Sequence, residues 1–416
     1  MTITNIISAI GNNRSIYPLL VRDCGIEVPS KIYITRKENL KESRQKANDA
    51  TREKFIDEYV TSAVWLGGIP LTEKIADNVI KKSGYNPLVN VKLFKEEAFQ
   101  GLEYNIKKFK QLVPEAVKDL EKIRANKNKY QRYTANKFIA AIMIPTALMG
   151  FVLPKLNFAL TRIIKTKRNE RQQTQFDTYR PSIEKFISDR KNKNISFGGN
   201  IMYSIASLKT VDKMALTDGG LTVGRVSTSR NKDEAYVNAF RMIGSMILNF
   251  VTPIYIQKGL DKLANKLFKV NVNLDPLFME DKNFINAIKN NRIKLPKSDS
   301  EKDLFEFIEK NPKSLFSQFA QKSRIISYLE NGVRDPRKYV DVKALRSFKK
   351  EFENFVNSAK KSKNVEVFSK KAKYIKGGNI LANILISSTL LAVVLPEIQY
   401  KFNKLITGSY SDPGLR

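Results

Sequence analysis

An all-α fold is what this sequence predicts, with apolar, proline-kinked helices gathered in a bundle and long basic amphipathic helical inserts between them. Two observations lead there. Apolar residues recur at helical spacing through most of the chain, as in Leu112, Ala116 and Leu120, with charged residues on the opposite face. In addition, an uncharged stretch, a proline and an amphipathic continuation follow one another four times, at Pro70, Pro154, Pro253 and Pro396.

In chain order, residues 1–50 read as an N-terminal arm, with Pro18, Gly25 and Pro29 and a loose alternation over 26–36 that suits a short strand or extended segment. Residues 1–12 lack a basic start, a long apolar core and a cleavage site, so no signal peptide is expected. Residues 51–165 form a first helical half with two apolar helices. Its charged entry (Arg52, Glu53, Lys54, Asp57, Glu58) leads into an uncharged run over 59–72 that holds Trp65 and Pro70. Residues 166–230 form a basic linker with a glycine-rich loop. Residues 231–407 form a second half, opened by Asn231 with Glu234 three residues on, a helix-capping pattern, and interrupted by a basic helical insert over 270–375. Residues 408–416 are a tail.

The recurring unit is best matched between 138–165 and 380–407, which align without a gap through Pro154 and Pro396, pairing Ile142 with Ile384, Leu148 with Leu390 and Val152 with Val394. Weaker copies surround Pro70 and Pro253. Internal duplication and convergence on one helical pattern both account for the match. In either case proline removes an amide donor and clashes with the preceding turn, so a kink or break is expected at each of the four. The apolar part before it suits a core or a bilayer, and the amphipathic part after it suits a boundary with water. A unit of this kind is shaped to dip into a membrane and then lie flat.

Residues 138–160 carry one charge, Lys155, and their length falls within the roughly 17–25 residues that cross hydrocarbon. The stretch 380–396 is at the short end, and the runs at 59–72 and 242–257 are shorter still. Every connection between them is basic, so dipping or interfacial helices would keep all the basic regions on one anionic face, whereas four full spans would not.

The chain has 73 Lys and Arg against 41 Asp and Glu, a formal charge of +32. That excess suits an anionic membrane face or a phosphodiester backbone. There is no histidine, which removes the commonest general base and metal ligand, and the carboxylates are scattered; no cofactor, metal or enzymatic activity is expected. The single cysteine, Cys24, has Arg22 and Asp23 beside it, and nothing there favours a reactive thiolate. Gly219 and Gly224 have phosphate-loop spacing, but Arg225 and Val226 stand where lysine and a hydroxyl residue are needed. The segment therefore reads as a turn, and its functional option is an anion-binding loop made by Gly219, Gly220, Gly224 and Arg225. Aligning Pro70 with Pro253 places Glu58 and Arg241 at equal depth, which predicts an ion pair that fixes helix register.

These readings converge on a non-enzymatic structural or scaffolding protein of the membrane, with its apolar helices inserted and its basic regions on the anionic cytoplasmic face. The second reading is a soluble nucleic-acid-binding protein, for which the basic clusters at 122–132, 162–171 and 360–373 would serve. The third is a small-solute carrier, for which Asn249, Thr252, Asn383 and Ser387 are polar residues at mid-depth.

Overall fold

The computed structural model describes residues 20–21, 23–172, 210–270 and 272–415. Among them the fold is all-α; the one extended pairing is an isolated bridge between Tyr328 and Arg334. A π-helical turn, Asp23–Glu27, opens α1 (Val28–Leu40). Ser43 then caps α2 (Arg44–Ala63) by accepting from the Lys46 amide at 3.1 Å, and α3 (Ile69–Lys82) follows. The first insert contains α4 (Leu102–Phe109) and α5 (Pro114–Ala125). After it come α6 (Lys127–Ala147), α7 (Leu153–Gln172), α8 (Thr210–Ser227), α9 (Lys232–Phe250) and α10 (Thr252–Phe268). The second insert holds α11 (Pro276–Met279), α12 (Lys282–Lys289), α13 (Glu301–Lys310), α14 (Leu315–Lys322) and α15 (Val342–Lys360), and the chain ends in α16 (Val365–Thr389) and α17 (Leu395–Thr407).

Two expectations for the ends of the bundle change. The stretch 26–36 is helical, because Pro29 sits in the first turn of α1, where its missing N–H costs nothing, and α1 packs along α2. The N-terminal arm therefore gives way to α1 and to the start of α2 before residue 50, and the first residues of the linker, 166–172, continue α7. Residues 1–19, where no signal peptide was expected, and most of the linker, 173–209 with Pro181, lie outside the described residues.

The prolines share one local device. Five-residue π-helical turns, Val64–Gly68, Leu148–Val152 and Leu390–Val394, precede Pro70, Pro154 and Pro396 at the same spacing. A proline ring in a regular helix meets the carbonyl four residues back, and the wider π turn gives that carbonyl room. The residues flanking these turns keep right-handed helical angles, so the chain passes through the prolines without turning back, and the dip-and-return geometry does not occur there. Pro253 differs: α9 ends at Phe250, Val251 interrupts, and Pro253 is the second residue of α10.

The long helices pair into two antiparallel hairpins. In the first, Asn157 donates to the Glu53 carbonyl at 2.8 Å and Lys137 pairs with Asp77 at 2.6 Å, tying α6–α7 to α2–α3 at both ends. In the second, Phe240 stacks on Phe402 with centroids 4.6 Å apart, while Asp261 accepts from Asn379 at 2.9 Å and from Lys376 at 3.0 Å. Asn383, Gln257 and Ser387 complete that seam.

The glycine-rich segment is not a loop but part of α8, with its amides used in the helix. A glycine-rich run reads as a turn because glycine weakens an isolated helix, and here close packing overrides that weakness. A Cβ on Gly224 would stand 2.8 Å from the Cα and carbonyl carbon of Gly150, and one on Gly220 would stand 2.6 Å from Thr146 Cγ2. Gly220 and Gly224 thus form a G-x-x-x-G face crossing Thr146 and Gly150 of α6 and its π turn, a packing common between membrane helices.

The two inserts merge into one head at one end of the bundle. Arg334, fully buried, donates to Glu309 Oε1 at 3.0 Å and to Asn105 Oδ1 at 3.0 Å, and Asn105 in turn donates to the Pro336 carbonyl. Gln100 of the first insert exchanges two hydrogen bonds with the Val340 backbone of the second. The head has a dense aromatic core, in which Phe278 stacks on Phe319 at 4.1 Å and Phe284, Phe316 and Phe352 are fully buried. Its large apolar side chains are nearly all inside: over 83–126 and 272–364 only Leu88, Leu112 and Leu277 are exposed. The bundle is the reverse. Met143, Leu156, Ile247, Ile254, Leu385 and Leu405 are among many aliphatic side chains that face outward along it.

Replacing Gly224 with valine should separate α8 from Gly150 and lower stability by about 2 kcal/mol, the scale of an overpacked core. Gly219→Ala, where an added methyl meets nothing, should leave the melting temperature unchanged or slightly raised, and thermal denaturation of the two variants reads the difference.

Candidate functional site

At the end of the bundle opposite the head, α1, α2, α7, α8, α9 and α17 converge on a buried ionic cluster level with Pro154 and Pro396. Sequence places the cations and carboxylates one helical turn apart, so each element offers its charge inward. From α2, Lys54 and Glu58 pair at 2.7 Å, and Glu58 also lies 3.5 Å from Lys31 of α1, which bonds Glu27 one turn earlier. Asp57 binds two arginines: Arg225 of α8 reaches Oδ1 at 2.7 Å, and Arg241 of α9 lies 3.9 Å from Oδ2. Arg225 also donates to Thr61 at 2.8 Å.

A neighbouring fork completes the seal. Arg230 holds Glu53 bidentately, at 3.1 Å to each oxygen, and Glu234 at 2.8 Å, while its guanidinium lies 4.1 Å over the Phe158 ring. Glu234 also accepts from the Arg230 amide at 2.6 Å, and Asn231 caps α9 by accepting from the Glu234 amide at 2.8 Å, so the helix starts where its capping pattern lies. The C-terminal tail closes over the cluster: Asp412 accepts from Asn39 and Tyr400 at 3.3 Å, and Asn231 donates to the Pro413 carbonyl at 2.9 Å.

Burial and neighbours act on these groups in different directions. Burial works against the charge of Lys31, yet Glu27 and Glu58 hold its pKa above the ordinary lysine value. Burial, reinforced by Arg241, brings Lys54 down to about 8. Glu58 is kept well below the usual carboxylate range despite burial, because Lys31, Lys54 and Arg241 surround it. Burial pushes Asp412 and Glu53 up. Outside the cluster, burial and Asp23 push the Cys24 thiol up.

Two small cavities, each about 90 Å³, adjoin the cluster. Lys31, Arg225 and Arg241 line both. The second also receives Trp65 and Asn249, whose indole N–H and amide oxygen are buried without a hydrogen-bond partner.

Of the residues singled out from sequence, Glu58, Arg241 and Arg225 meet here, and Pro154 and Pro396 line the first of the two cavities. Arg241 takes Asp57, one residue before Glu58, as its nearest carboxylate, while Glu58 is held by the two lysines. Gly219, Gly220 and Gly224 lie on α8, where their amides belong to the helix and Gly220 and Gly224 pack on Thr146 and Gly150, and Arg225 is engaged by Asp57. Thr252 donates back across the break to the Ile247 carbonyl of α9, and Asn383 and Ser387 lace the second hairpin. Sequence reading missed Lys31, Lys54, Asp57, Arg230 and Asp412. The available signal was an i, i+4 charge pattern in α2, which is ordinarily a solvated face.

Asp57→Asn leaves Arg225 and Arg241 buried without their carboxylate and should destabilise the fold by about 3 kcal/mol or more, as for a broken buried ion pair, measured by chemical denaturation. A second outcome concerns the tail. Glu42 is held down to about 2 chiefly by the Ser409 hydroxyl, with Lys46 and the Ser411 and Tyr410 amides adding to it. Its folded pKa is depressed, so the stabilisation is complete above the ordinary value of 4.5 and is lost as pH falls from there toward 2. Protease access to residues 408–416 should rise over that window, and Glu42→Gln should show the same access at neutral pH.

Comparison of the chain with protein-family models, with curated proteins and with solved structures finds no match.

Proposed function

We propose that this chain is an integral membrane protein of structural or scaffolding type, in which the bundle is embedded and carries the helical head on the anionic cytoplasmic face. The observation that supports it most is the contrast in packing: the head buries its apolar residues, whereas the bundle turns its own outward. Three helical stretches, Lys127–Lys167, Lys232–Phe268 and Val365–Thr407, are long and apolar enough to cross a membrane. In the most apolar window of Lys232–Phe268 only 6% is buried inside the structure, against 33% in each of the other two. A contiguous apolar exterior of this extent is costly in water and suits hydrocarbon.

The basic head fits an anionic surface, where juxtamembrane Lys and Arg each add favourable energy. The ionic cluster then acts within the bundle as a register lock. In this reading the protein works by position: it holds a folded body at the membrane surface and performs no chemistry of its own.

Membrane pellets from cells producing the tagged full-length chain should retain it through washes with high salt and with alkaline carbonate and release it only in detergent. Release by salt with bound nucleic acid would overturn the proposal and favour the nucleic-acid reading.

A further inference from the structure

The outward faces of the long helices measure out a membrane. On α9–α10, Tyr236 and Tyr255 are 62% and 69% exposed, and the exposed side chains between them, Ile243, Ile247, Val251 and Ile254, are all aliphatic. The two tyrosines stand nineteen residues apart, about 28 Å of helix, close to the roughly 30 Å of a hydrocarbon layer. On α2–α3 no charged residue is exposed from Phe55 until Lys74, again nineteen residues on. Tyrosine favours the level where hydrocarbon meets water, so Tyr255 marks the membrane surface on the side of the head.

Beyond Tyr255 the outward face of α10 changes from aliphatic to cationic. Lys258, Lys262 and Lys266 follow one another at four-residue spacing, which sets them in one row along the helix, and Lys269 stands at its C-cap. All four are exposed, and no acidic residue is exposed on α10. Its one acid, Asp261, is taken by Lys376 and Asn379, and the nearby Glu280 pairs with Lys373, so the ion pairs at this end use other lysines. Lys258 lies 5.9 Å over the Tyr255 ring, at the level that the tyrosine marks. The helix that carries the row is also the one most open to lipid, since only 6% of the apolar window in Lys232–Phe268 is buried.

We propose that this lysine row is a docking site for the head groups of anionic phospholipids, an inference that rests on the membrane reading and gives its charge a place. Side chains on a helix lean toward its N-terminus, and α10 runs away from the bilayer, so its lysines lean back toward the lipid heads. Along the axis Lys258 stands about 4.5 Å and Lys262 about 10 Å above Tyr255, and a lysine stem brings both ammonium groups to a head-group layer roughly 5–7 Å deep. Lys266 and Lys269, about 16 Å and 21 Å up, meet only a field that fades over roughly 8 Å at physiological salt. The contribution of each lysine therefore falls with its distance from Tyr255. A polyanion in solution, such as nucleic acid, would meet the whole row alike.

Native mass spectrometry of the full-length chain in detergent micelles, titrated with phosphatidylglycerol or with phosphatidylcholine, reads the binding of single lipids. The native chain should prefer phosphatidylglycerol by more than about tenfold, and Lys258→Gln and Lys262→Gln should each lower that preference roughly fivefold, the share of one juxtamembrane lysine. Lys269→Gln should change it by less than about twofold, and Lys118→Gln, on an exposed position of α5 in the head, should leave it as in the native chain. All four row positions are exposed, so these variants keep the fold. Equal losses from Lys258, Lys262, Lys266 and Lys269 would assign the row to a soluble polyanion, and no preference in the native chain would make it a solvated face; either result overturns the docking site. A chain that stays in membrane pellets through alkaline carbonate but shows no preference loses this inference alone, whereas one released by salt loses the membrane reading as well.

Discussion

The Asp57 carboxylate, shared between Arg225 and Arg241, is the contact on which the rest of the bundle depends, because it joins the first hairpin, α8 and the second hairpin through one side chain. Around it Lys31 brings in the N-terminal helix and Asp412 brings in the tail. Buried charges contribute little net stability, since desolvation offsets most of their attraction. They act instead through selectivity. A one-residue slide of α9 along α2 would strand several charges in an apolar interior, and that cost excludes neighbouring registers far more strongly than aliphatic packing could. Apolar helices with outward-facing side chains have few other means of fixing their alignment.

The prolines set the depth of that alignment. Each π turn adds a residue without adding a full turn and rotates the helix beyond it relative to the helix before. Pro154 and Pro396 therefore do more than mark an end of the apolar stretches: they lie where the rotated segments begin, and those segments present Asn157, Phe158, Gln399 and Tyr400 to the cluster. The pairing of Asp77 with Lys137 and of Asp261 with Asn379 repeats one seam in both hairpins, with Lys137 and Asn379 standing at the same offset as Pro154 and Pro396.

Much of this was legible from the chain. Helical spacing gave the all-α class, and the recurrent proline unit marked where the long helices run, although Arg44, Lys127, Lys232 and Val365 open them well before the apolar stretches at 59, 138, 242 and 380, because a charged entry turn carries no apolar signal. Placing Glu58 and Arg241 at one depth brought both to the cluster, one residue short of the actual partner Asp57. The misses have physical causes. Alternation over 26–36 resembled a strand because its β-branched residues, Ile32, Ile34 and Thr35, are compatible with either structure. Gly219 to Gly224 resembled a turn because glycine's role as a close-approach residue shows only when the opposing Gly150 is in place. Lys31, Lys54 and Asp412 look like solvated charges in one dimension, since burial of a charge is a property of the assembled helices.

The merged head has a mechanical side. Gln100, Asn105 and Arg334 bind the two inserts through backbone groups and a buried guanidinium, while at the far end charged side chains around Asp57 and a small apolar contact of Met149 and Trp65 with Met242 join the hairpins. The hairpins are thus clasped like the arms of a clothes-peg, with a stiff spring at the head and jaws that meet at Asp57. The two ends of the bundle therefore answer to different chemistry: backbone hydrogen bonds hold the head end whatever the charge state, whereas the far end depends on a few buried ions keeping theirs.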